Sequence, residues 1–408
     1  MTTLGTRETA PTAAPPRTTI PVRTPPSGEQ ARRRLGVLRT SDYLAVFGAL
    51  AAAFAMTGLL WTKLTPFTGP LSYVVVTWWL FVLIYGALVS FDENRPTVRD
   101  RVAAVVVQSL GALIMIVLAF VVGYMIFKGW KALRHLNFFT QDMGGTGPLD
   151  PLTKGGVLHA IVGTLIEVGI ALAIVAPLGI LGGVFLHEIP GRFSRFVRTV
   201  VDAMTALPDI MAGLFIYATV ILILGLQASG LAAGLALAVT VLPIIMRTTD
   251  VVLRLVPGNL TEASYALGTG QWRTIWHVTL PTARSGLATA VILGAARAIG
   301  ETSPVLLTAG ASPFFNANPV HNPMMSLPLM AYTSVQSPQP NMIARGFGAA
   351  ATLLVLVLVL FAIARVIGGR GPGELTNRQR RRRDASSRRD MNRYHARHAA
   401  IAAVEGSA

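Results

Sequence analysis

The sequence predicts an all-α fold, a polytopic bundle of transmembrane helices, and three observations support this. Hydrophobic residues make up 52% of the chain and charged residues 13%, whereas a soluble globular protein carries about 25% charged residues. Apolar runs of about 20 residues, the length that crosses a bilayer, recur along the chain. The arginines gather at the two ends and in short segments between these runs, as an integral membrane protein requires.

Eight apolar runs are candidate spans, and we expect each to form one helix. They lie at about residues 42–62, 71–91, 103–127, 157–186, 204–225, 231–246, 285–308 and 346–368. The sixth is short, and its C-terminal boundary is the least defined.

The segments around these runs predict the domain organisation and the orientation. Residues 1–40 are rich in Pro, Thr and Arg without an apolar core, which predicts a disordered cytoplasmic arm. We expect a two-helix membrane extension at 41–92, the membrane core at 93–368 and an Arg-rich cytoplasmic tail at 369–408. Lys and Arg are more frequent on one side of the spans, which predicts that both termini are cytoplasmic.

Composition and missing motifs exclude several kinds of site. The chain has no cysteine, so it can form neither a disulfide nor a thiolate metal site. It has no GxxxxGK[ST] loop and no HExxH motif, so we expect neither ATP binding nor a metal or other cofactor. The net charge of +16 could suggest nucleic acid. However, the arginine run after the last span is typical of a stop-transfer segment that meets anionic membrane lipids, and nucleic acid is not an expected partner.

A polar segment at 257–286, between spans six and seven, predicts a cytoplasmic helix–turn–helix. Asn259 followed by Glu262 has the form of an N-cap with a reciprocal acidic partner. Gly268 can end this first helix in a left-handed conformation. The expected second helix, 271–280, carries three apolar residues on one side: Trp272, Ile275 and Trp276. Such side chains can fill a groove on a partner.

The same segment resembles a motif of ABC-importer permease subunits, Glu-Ala-Ala, then Gly, then Ile-x-Leu-Pro at fixed spacing. The matching residues here are Glu262, Ala263, Ser264, Gly268, Leu280 and Pro281. Ser264 replaces the second Ala, and Val278 replaces the Ile. The resemblance implies a coupling helix that docks on separate ATPase subunits. We therefore expect a transport subunit and not an enzyme.

Residues 296–310, ARAIGETSPVLLTAG, look like the signature of phosphate-importer permeases of the PstA type. LPDIMAGLFIY, with Asp209 where Ser is usual, and LPIIMRTTD, with Asp250 for Glu, resemble further elements of that family, as does GWKALRHLNFFTQDM. The resemblance covers about residues 103–368. It implies a cell-membrane permease that carries inorganic phosphate, with a PstC-type permease subunit, ATPase subunits and an extracytoplasmic phosphate-binding protein as partners.

Charged residues inside the apolar runs are the candidate path residues. Arg297 and Glu301 share a helix face and can pair, which lowers the cost of burying them. Pro304 leaves the carbonyl of Gly300 without a donor, and a guanidinium matches phosphate oxygens. Two interpretations stay open. Arg297 lines a translocation path and contacts phosphate with Glu301 as its resting partner, or the pair only joins two helices.

Two further charges have alternative interpretations. Arg247 is a path candidate, but it also suits the cytoplasmic end of span six. Glu167 either pairs with Arg297 or forms a hydrogen bond between packed helices. Glycines in the fourth span predict close helix packing; they are Gly163, Gly169, Gly179, Gly182 and Gly183.

Three alternatives to a phosphate permease remain at this level. The first is a permease for another oxyanion such as sulfate, molybdate or phosphonate. The second is a proton-coupled secondary anion transporter that uses Glu301 or Glu167 as a relay. The third is a membrane scaffold whose Arg-rich tail binds a partner.

Overall fold

A computed structural model describes residues 40–63, 69–368 and 377–405, and all the regular elements in these ranges are helices. The chain divides into two compact units, one up to Ile116 and one from Val117. Apart from Thr40, the predicted arm 1–40 lies outside the described residues. The same holds for residues 369–376 and 406–408 of the predicted tail.

The first unit consists of α1, α2 and the first part of α3. Their bounds are Thr40–Lys63, Pro70–Asp92 and Arg95–Leu133. Small residues of α1, Ala49 and Ala53, are buried in one cluster with Phe81, Tyr85 and Val89 of α2. Small side chains on α1 therefore admit the larger aromatic side chains of α2.

The second unit contains the remaining helices and the end of α3. They are α4 (Asn137–Thr140), α5 (Leu158–Glu188), α6 (Arg192–Ala206), α7 (Asp209–Ile216), α8 (Gly230–Leu253), α9 (Gly258–Ala266), α10 (Gln271–Thr274), α11 (Leu280–Gly300), α12 (Ser303–Thr308), α13 (Leu327–Val335), α14 (Pro340–Gly368) and α15 (Asn377–Glu405). Two wider π-helical turns follow α7 and α10, at Tyr217–Ile223 and Ile275–Thr279. The helix α15 carries the arginine run, whose described side chains are exposed.

Seven of the described helices are long and apolar enough to cross a membrane, and an eighth span results if α6 and the α7 segment count together. This confirms the predicted all-α bundle. The predicted spans one to four, six and eight each fall on one long helix. The fifth and seventh differ from a simple span.

The prediction of one continuous fifth span at 204–225 is wrong. The helix α6 ends at Ala206, and the chain bends by 101° before the α7 segment continues to Ile223. Leu207 is extended, with φ −72° and ψ 139°. The cause is Pro208, whose ring disfavours the helical conformation of the residue before it.

Two other predicted boundaries also need correction. The sixth span does not end near Arg247, because α8 continues through Pro243 and Arg247 to Leu253. The seventh does not run unbroken to 308, because α11 ends at Gly300 and α12 is a separate short helix. Pro304 lies in the first turn of α12, where its missing N–H costs no helical hydrogen bond.

The core of the second unit lies between α5, α8 and α11. A buried cluster joins Val175 of α5, Val241 and Ile245 of α8 and Ala298 of α11. The helices α5 and α8 approach closely at glycines, as predicted. A Cβ added at Gly179 would lie 2.6 Å from the side chain of Ile245.

Candidate functional site

The side chain of Arg297 contacts two carboxylates of the second unit, those of Glu301 and Asp209. The guanidinium of Arg297, in the last turn of α11, forms an ion pair with Glu301, with 2.8 Å between Nε and Oε1. It also donates from Nη2 to Asp209 Oδ2 at 2.5 Å. The predicted pairing of Arg297 with Glu301 is confirmed, and the second carboxylate is an addition that we did not predict.

Both carboxylates lie at helix breaks. Glu301 follows the last residue of α11 and is extended, with φ −74° and ψ 130°. Asp209 is the first residue of α7, just after the bend at Pro208. The helices that follow the two breaks pack closely, since a Cβ added at Gly213 of α7 would lie 2.7 Å from Cα of Pro304 in α12. Backbone contact between α7 and α12 therefore keeps the two helix breaks close to each other.

A cleft of about 550 Å³ opens beside this group. It is formed by the end of α6, by α7 and by α8, and its lining includes Met204, Asp209, Phe215, Val239, Ile244 and Arg297. Among the described residues, Arg297 is the only cation that lines the cleft. Most of the other lining side chains are apolar, so the polar chemistry of the cleft is concentrated at Arg297 and Asp209.

The three charges differ in how far they are exposed. The side chain of Arg297 is 48% exposed and that of Asp209 34%, whereas that of Glu301 is 11% exposed. A charge facing lipid at this depth of an apolar helix is costly. Such groups therefore face protein or a water-filled path when the chain is in a membrane.

Glu167 and Arg247 lie apart from this group. Glu167 is buried on α5, and the described residues include neither an ion pair nor a hydrogen-bond partner for its Oε1 atom. The structure therefore does not pair it with Arg297. Arg247 forms an ion pair with Asp202 of α6, with 3.2 Å between Nε and Oδ1, and does not line the cleft.

A second ion-pair group joins α6 to the end of α8. The carboxylate of Asp250, only 5% exposed, accepts from Arg198 at 2.6 Å and from Arg254 at 3.2 Å. We did not predict this arrangement. The signal in the sequence is an acidic residue near the end of an apolar run, with a basic residue four positions later.

The predicted docking segment begins with α9, which contains Glu262, Ala263 and Ser264. The prediction of an Asn259 N-cap is wrong, because the helix begins at Gly258 after Pro257 and has no side-chain cap. The role of Gly268 is confirmed, since its φ is +81°.

The second helix of this segment also differs from the prediction. Instead of ending at residue 280, it continues through the π-helical turn Ile275–Thr279 into α11, and Leu280 and Pro281 lie at this junction. Ile275 is 4% exposed and packs with Leu253 in a buried cluster. Trp272 and Trp276 are 66% and 56% exposed, so Ile275 does not share their exposed face.

Ser264 joins two helices of the docking segment. Its Oγ atom lies 2.6 Å from Thr269 Oγ1 and 2.9 Å from Thr274 Oγ1, so the three hydroxyl groups join α9 to α10. An open depression of about 850 Å³ lies over this junction and is lined by Leu260, Ala263, Leu267 and His277, among others. Exposed apolar groups around a depression are typical of a protein-docking surface.

In the part of the chain that the structure describes, no group of three or more His, Asp or Glu side chains is arranged to hold a metal ion.

Comparison with known proteins gives the family. Residues 176–370 match the family described as "Binding-protein-dependent transport system inner membrane component". The "Phosphate transport system permease protein PstA 1" of Mycobacterium tuberculosis is 36% identical over 274 residues, which cover 67% of this chain and 90% of that protein. The chain belongs to the PstA family of permease proteins. The "Phosphate transport system permease protein PstA" of Haemophilus influenzae is 39% identical over 242 residues, 58% of this chain and 83% of that protein.

Family membership confirms the predicted resemblance and the assignment as a multi-pass membrane permease. The relatives are permease proteins, so the expectation of a transport subunit rather than an enzyme is also confirmed. A solved inward-facing form of the MetNI methionine ABC transporter matches 52% of this chain and 91% of that chain, at 24% identity and a TM-score of 0.38. That likeness is too distant to support an argument about the site.

Proposed function

We propose that this chain is the permease subunit of an ATP-driven phosphate importer in the cell membrane. It forms half of the translocation pore, and Arg297 lines the path and contacts phosphate in transit. The observation that carries this proposal is a half-exposed guanidinium in a membrane helix beside an apolar cleft, in a chain whose relatives are phosphate transport permeases. A guanidinium suits an oxyanion because its N–H groups match the spacing of two oxygens.

The other half of the pore is a PstC-type permease subunit that covers the cleft. A second subunit over this surface supplies the protein or water contact that Arg297 and Asp209 need within a bilayer. Pore contacts with the substrate need to be weak enough for release. A single cation already held by two carboxylates provides a contact of that kind.

ATPase subunits dock on the segment Glu262–Pro281, and both termini face the cytoplasm with them. The depression beside Ser264 and the exposed side chains of Trp272 and Trp276 support this role. An extracytoplasmic phosphate-binding protein delivers phosphate at the opposite face, near residues 128–155 and 309–345. The π-helical turn joins the docking segment directly to α11, so a movement of the ATPases is transmitted to Arg297.

The test is reconstitution of the full complex in liposomes with Arg297→Gln as the variant. We expect ATP-dependent uptake of labelled phosphate, little uptake of sulfate or molybdate, and a loss of uptake of at least about tenfold in the variant, because a neutral amide cannot replace a charge-assisted contact. ATP hydrolysis stimulated by the binding protein should persist. Asp202→Asn, which changes a charge outside the cleft lining, is the matched control.

Each contrary result has a definite meaning. If Arg297→Gln abolishes assembly or ATP hydrolysis, the ion pairs only hold helices together and the path assignment is wrong. If another oxyanion is carried in preference, the substrate is wrong and the permease assignment stands. Uptake driven by a proton gradient without ATP would favour a secondary transporter.

A further inference from the structure

The arrangement around Arg297 contains one more negative charge than an ion pair requires. Asp209 and Glu301 pair with different nitrogens of the same guanidinium, Nη2 and Nε. The three side chains together carry a net charge of −1 when both acids are ionised. In this state Arg297, which lines the cleft together with Asp209, already holds an anion, the carboxylate of Asp209.

The two carboxylates are not equivalent. Glu301 is 11% exposed and is four residues from Arg297 in the chain, so its contact is local. Asp209 is 34% exposed, comes from a different helix and lines the cleft together with Arg297. Exposed ion pairs are weak compared with buried ones because water screens them. Of the two contacts, the one with Asp209 is therefore the easier to exchange.

The position of Asp209 in the fold also allows movement. It is the first residue of α7 and follows the 101° bend between α6 and α7. A rotation of a short helix about such a break needs a change in only a few backbone dihedral angles. Because α7 and α12 contact each other through backbone atoms at Gly213 and Pro304, they would move together.

From these observations we propose that Asp209 is a built-in competitor of the transported anion. Its carboxylate occupies the Nη2 side of Arg297 in the resting state, and phosphate reaches the guanidinium only when Asp209 has left it. Glu301 stays paired with Nε throughout and holds the guanidinium in place. This inference depends on the proposed function, because it assigns Asp209 as the gating residue of the same path.

The competition has a measurable consequence for free phosphate. Removing the Asp209 charge frees Nη2, so phosphate should bind Arg297 at lower concentrations. Asp209 and phosphate exclude each other at Arg297. The apparent affinity for phosphate is therefore the intrinsic affinity multiplied by the fraction of Arg297 that Asp209 leaves free. For an exchangeable, partly exposed pair the expected change is about fivefold.

The experiment measures the protection of Arg297 by inorganic phosphate against modification with phenylglyoxal. The assembled transporter is used, and the modified peptide is followed by mass spectrometry. In Asp209→Asn the half-protecting phosphate concentration should fall about fivefold, and unprotected Arg297 should react faster. Asp209→Glu, which keeps the charge, should protect like the parent protein, and Asp202→Asn is the control for a remote charge.

Three outcomes would overturn the proposal. An unchanged half-protecting concentration in Asp209→Asn would show that no competition occurs. Failure of Asp209→Asn to assemble would show a contact that is required for the structure and is therefore not broken in each cycle. Absence of phosphate protection in every variant, while ATP-driven phosphate uptake continues, would remove both the gate and the phosphate contact of Arg297, and the assignment as a phosphate permease subunit would stand.

Failure of the proposed function gives a different pattern. If the parent transporter carries and binds sulfate in place of phosphate, and sulfate protection shows the same shift in Asp209→Asn, the gate is supported and only the substrate changes.

Discussion

Arg345 holds a loop that joins α4 to α5. Its side chain, in the first turns of α14, is buried. The Nη2 atom donates to the carbonyl oxygens of Asp150, Pro151 and Lys154 at 3.2, 2.9 and 2.9 Å. The carbonyl of Pro151 also accepts from Lys154 N, and that of Asp150 from Asn341 Nδ2. Arg345 therefore joins three backbone acceptors of the loop to α14.

We expect Arg345→Lys to loosen this loop. An ammonium cannot reproduce the planar fork of a guanidinium, and a buried acceptor left unpaired, such as the carbonyl of Lys154, costs about 1–3 kcal/mol. The variant should unfold at a lower temperature, and trypsin should cut after Lys154 more rapidly. Arg134→Lys, at an exposed arginine near the loop, is the control. Equal cleavage of the two variants would contradict this role.

Residue-level prediction from sequence succeeded for local contacts. Arg297 and Glu301 are four residues apart, so helical geometry alone brings them together. Asp209 is 88 positions from Arg297 and Asp250 is 52 from Arg198. Contacts of this range depend on how the helices pack, which no local pattern encodes.

At the scale of elements, the glycines of α5 set how closely α8 approaches. A Cβ at Gly183 would lie 2.5 Å from Thr249, and one at Gly182 would lie 2.4 Å from Met246. At Gly169, which faces away, it would meet nothing within 4 Å. The predicted role in close packing is therefore confirmed for Gly182 and Gly183 and wrong for Gly169.

Alanine substitution separates these positions. Gly183→Ala should destabilise the protein by about 1–3 kcal/mol because the backbones must separate. Gly169→Ala should be neutral or stabilise it by up to about 1 kcal/mol, since alanine favours a helix more than glycine does. Thermal unfolding in detergent measures both. A similar loss in the two variants would mean that helix approach is not the cause.

Helix positions were predictable from apolar runs, but the breaks within them were not. Pro208 and Pro304 lie beside the breaks that hold Asp209 and Glu301. Pro177 and Pro243 are inside α5 and α8, which continue past them. A proline therefore permits a break, and the packing around it decides whether one forms.

At the scale of the whole molecule, the cleft beside Arg297 is a surface suited to contact with a second subunit. Its described lining comes from α6, α7, α8 and one residue of α11, and it leaves two charges exposed. Membrane helices expose such charges to protein or water and not to lipid. Hydropathy did not predict this surface, because it does not distinguish a lipid-facing residue from one that faces another subunit.

Cross-linking can test which surface meets the second permease subunit. The chain has no cysteine, so single cysteines can be introduced at will. A benzophenone maleimide on Met211→Cys, in the cleft lining, should cross-link to the partner permease. Val359 is an equally exposed apolar position (48%) outside that lining. The same label on Val359→Cys should give a several-fold lower yield of the cross-link to the partner permease. Equal yields would contradict the assignment of the cleft as the shared wall.

The π-helical turn at Ile275–Thr279 affects how the docking segment is aligned with the pore helix. An α-helix advances about 100° per residue, and a π-helical turn accommodates one residue more than an α-helical turn does. The rotational phase between Trp272 and Arg297 thus depends on the helix type of this junction as well as on the number of residues across it. Loss of a single residue here would convert the π-helical turn to an α-helical one, and the faces on either side would keep their alignment. Within α11 itself, the same change would rotate Arg297 away from Asp209.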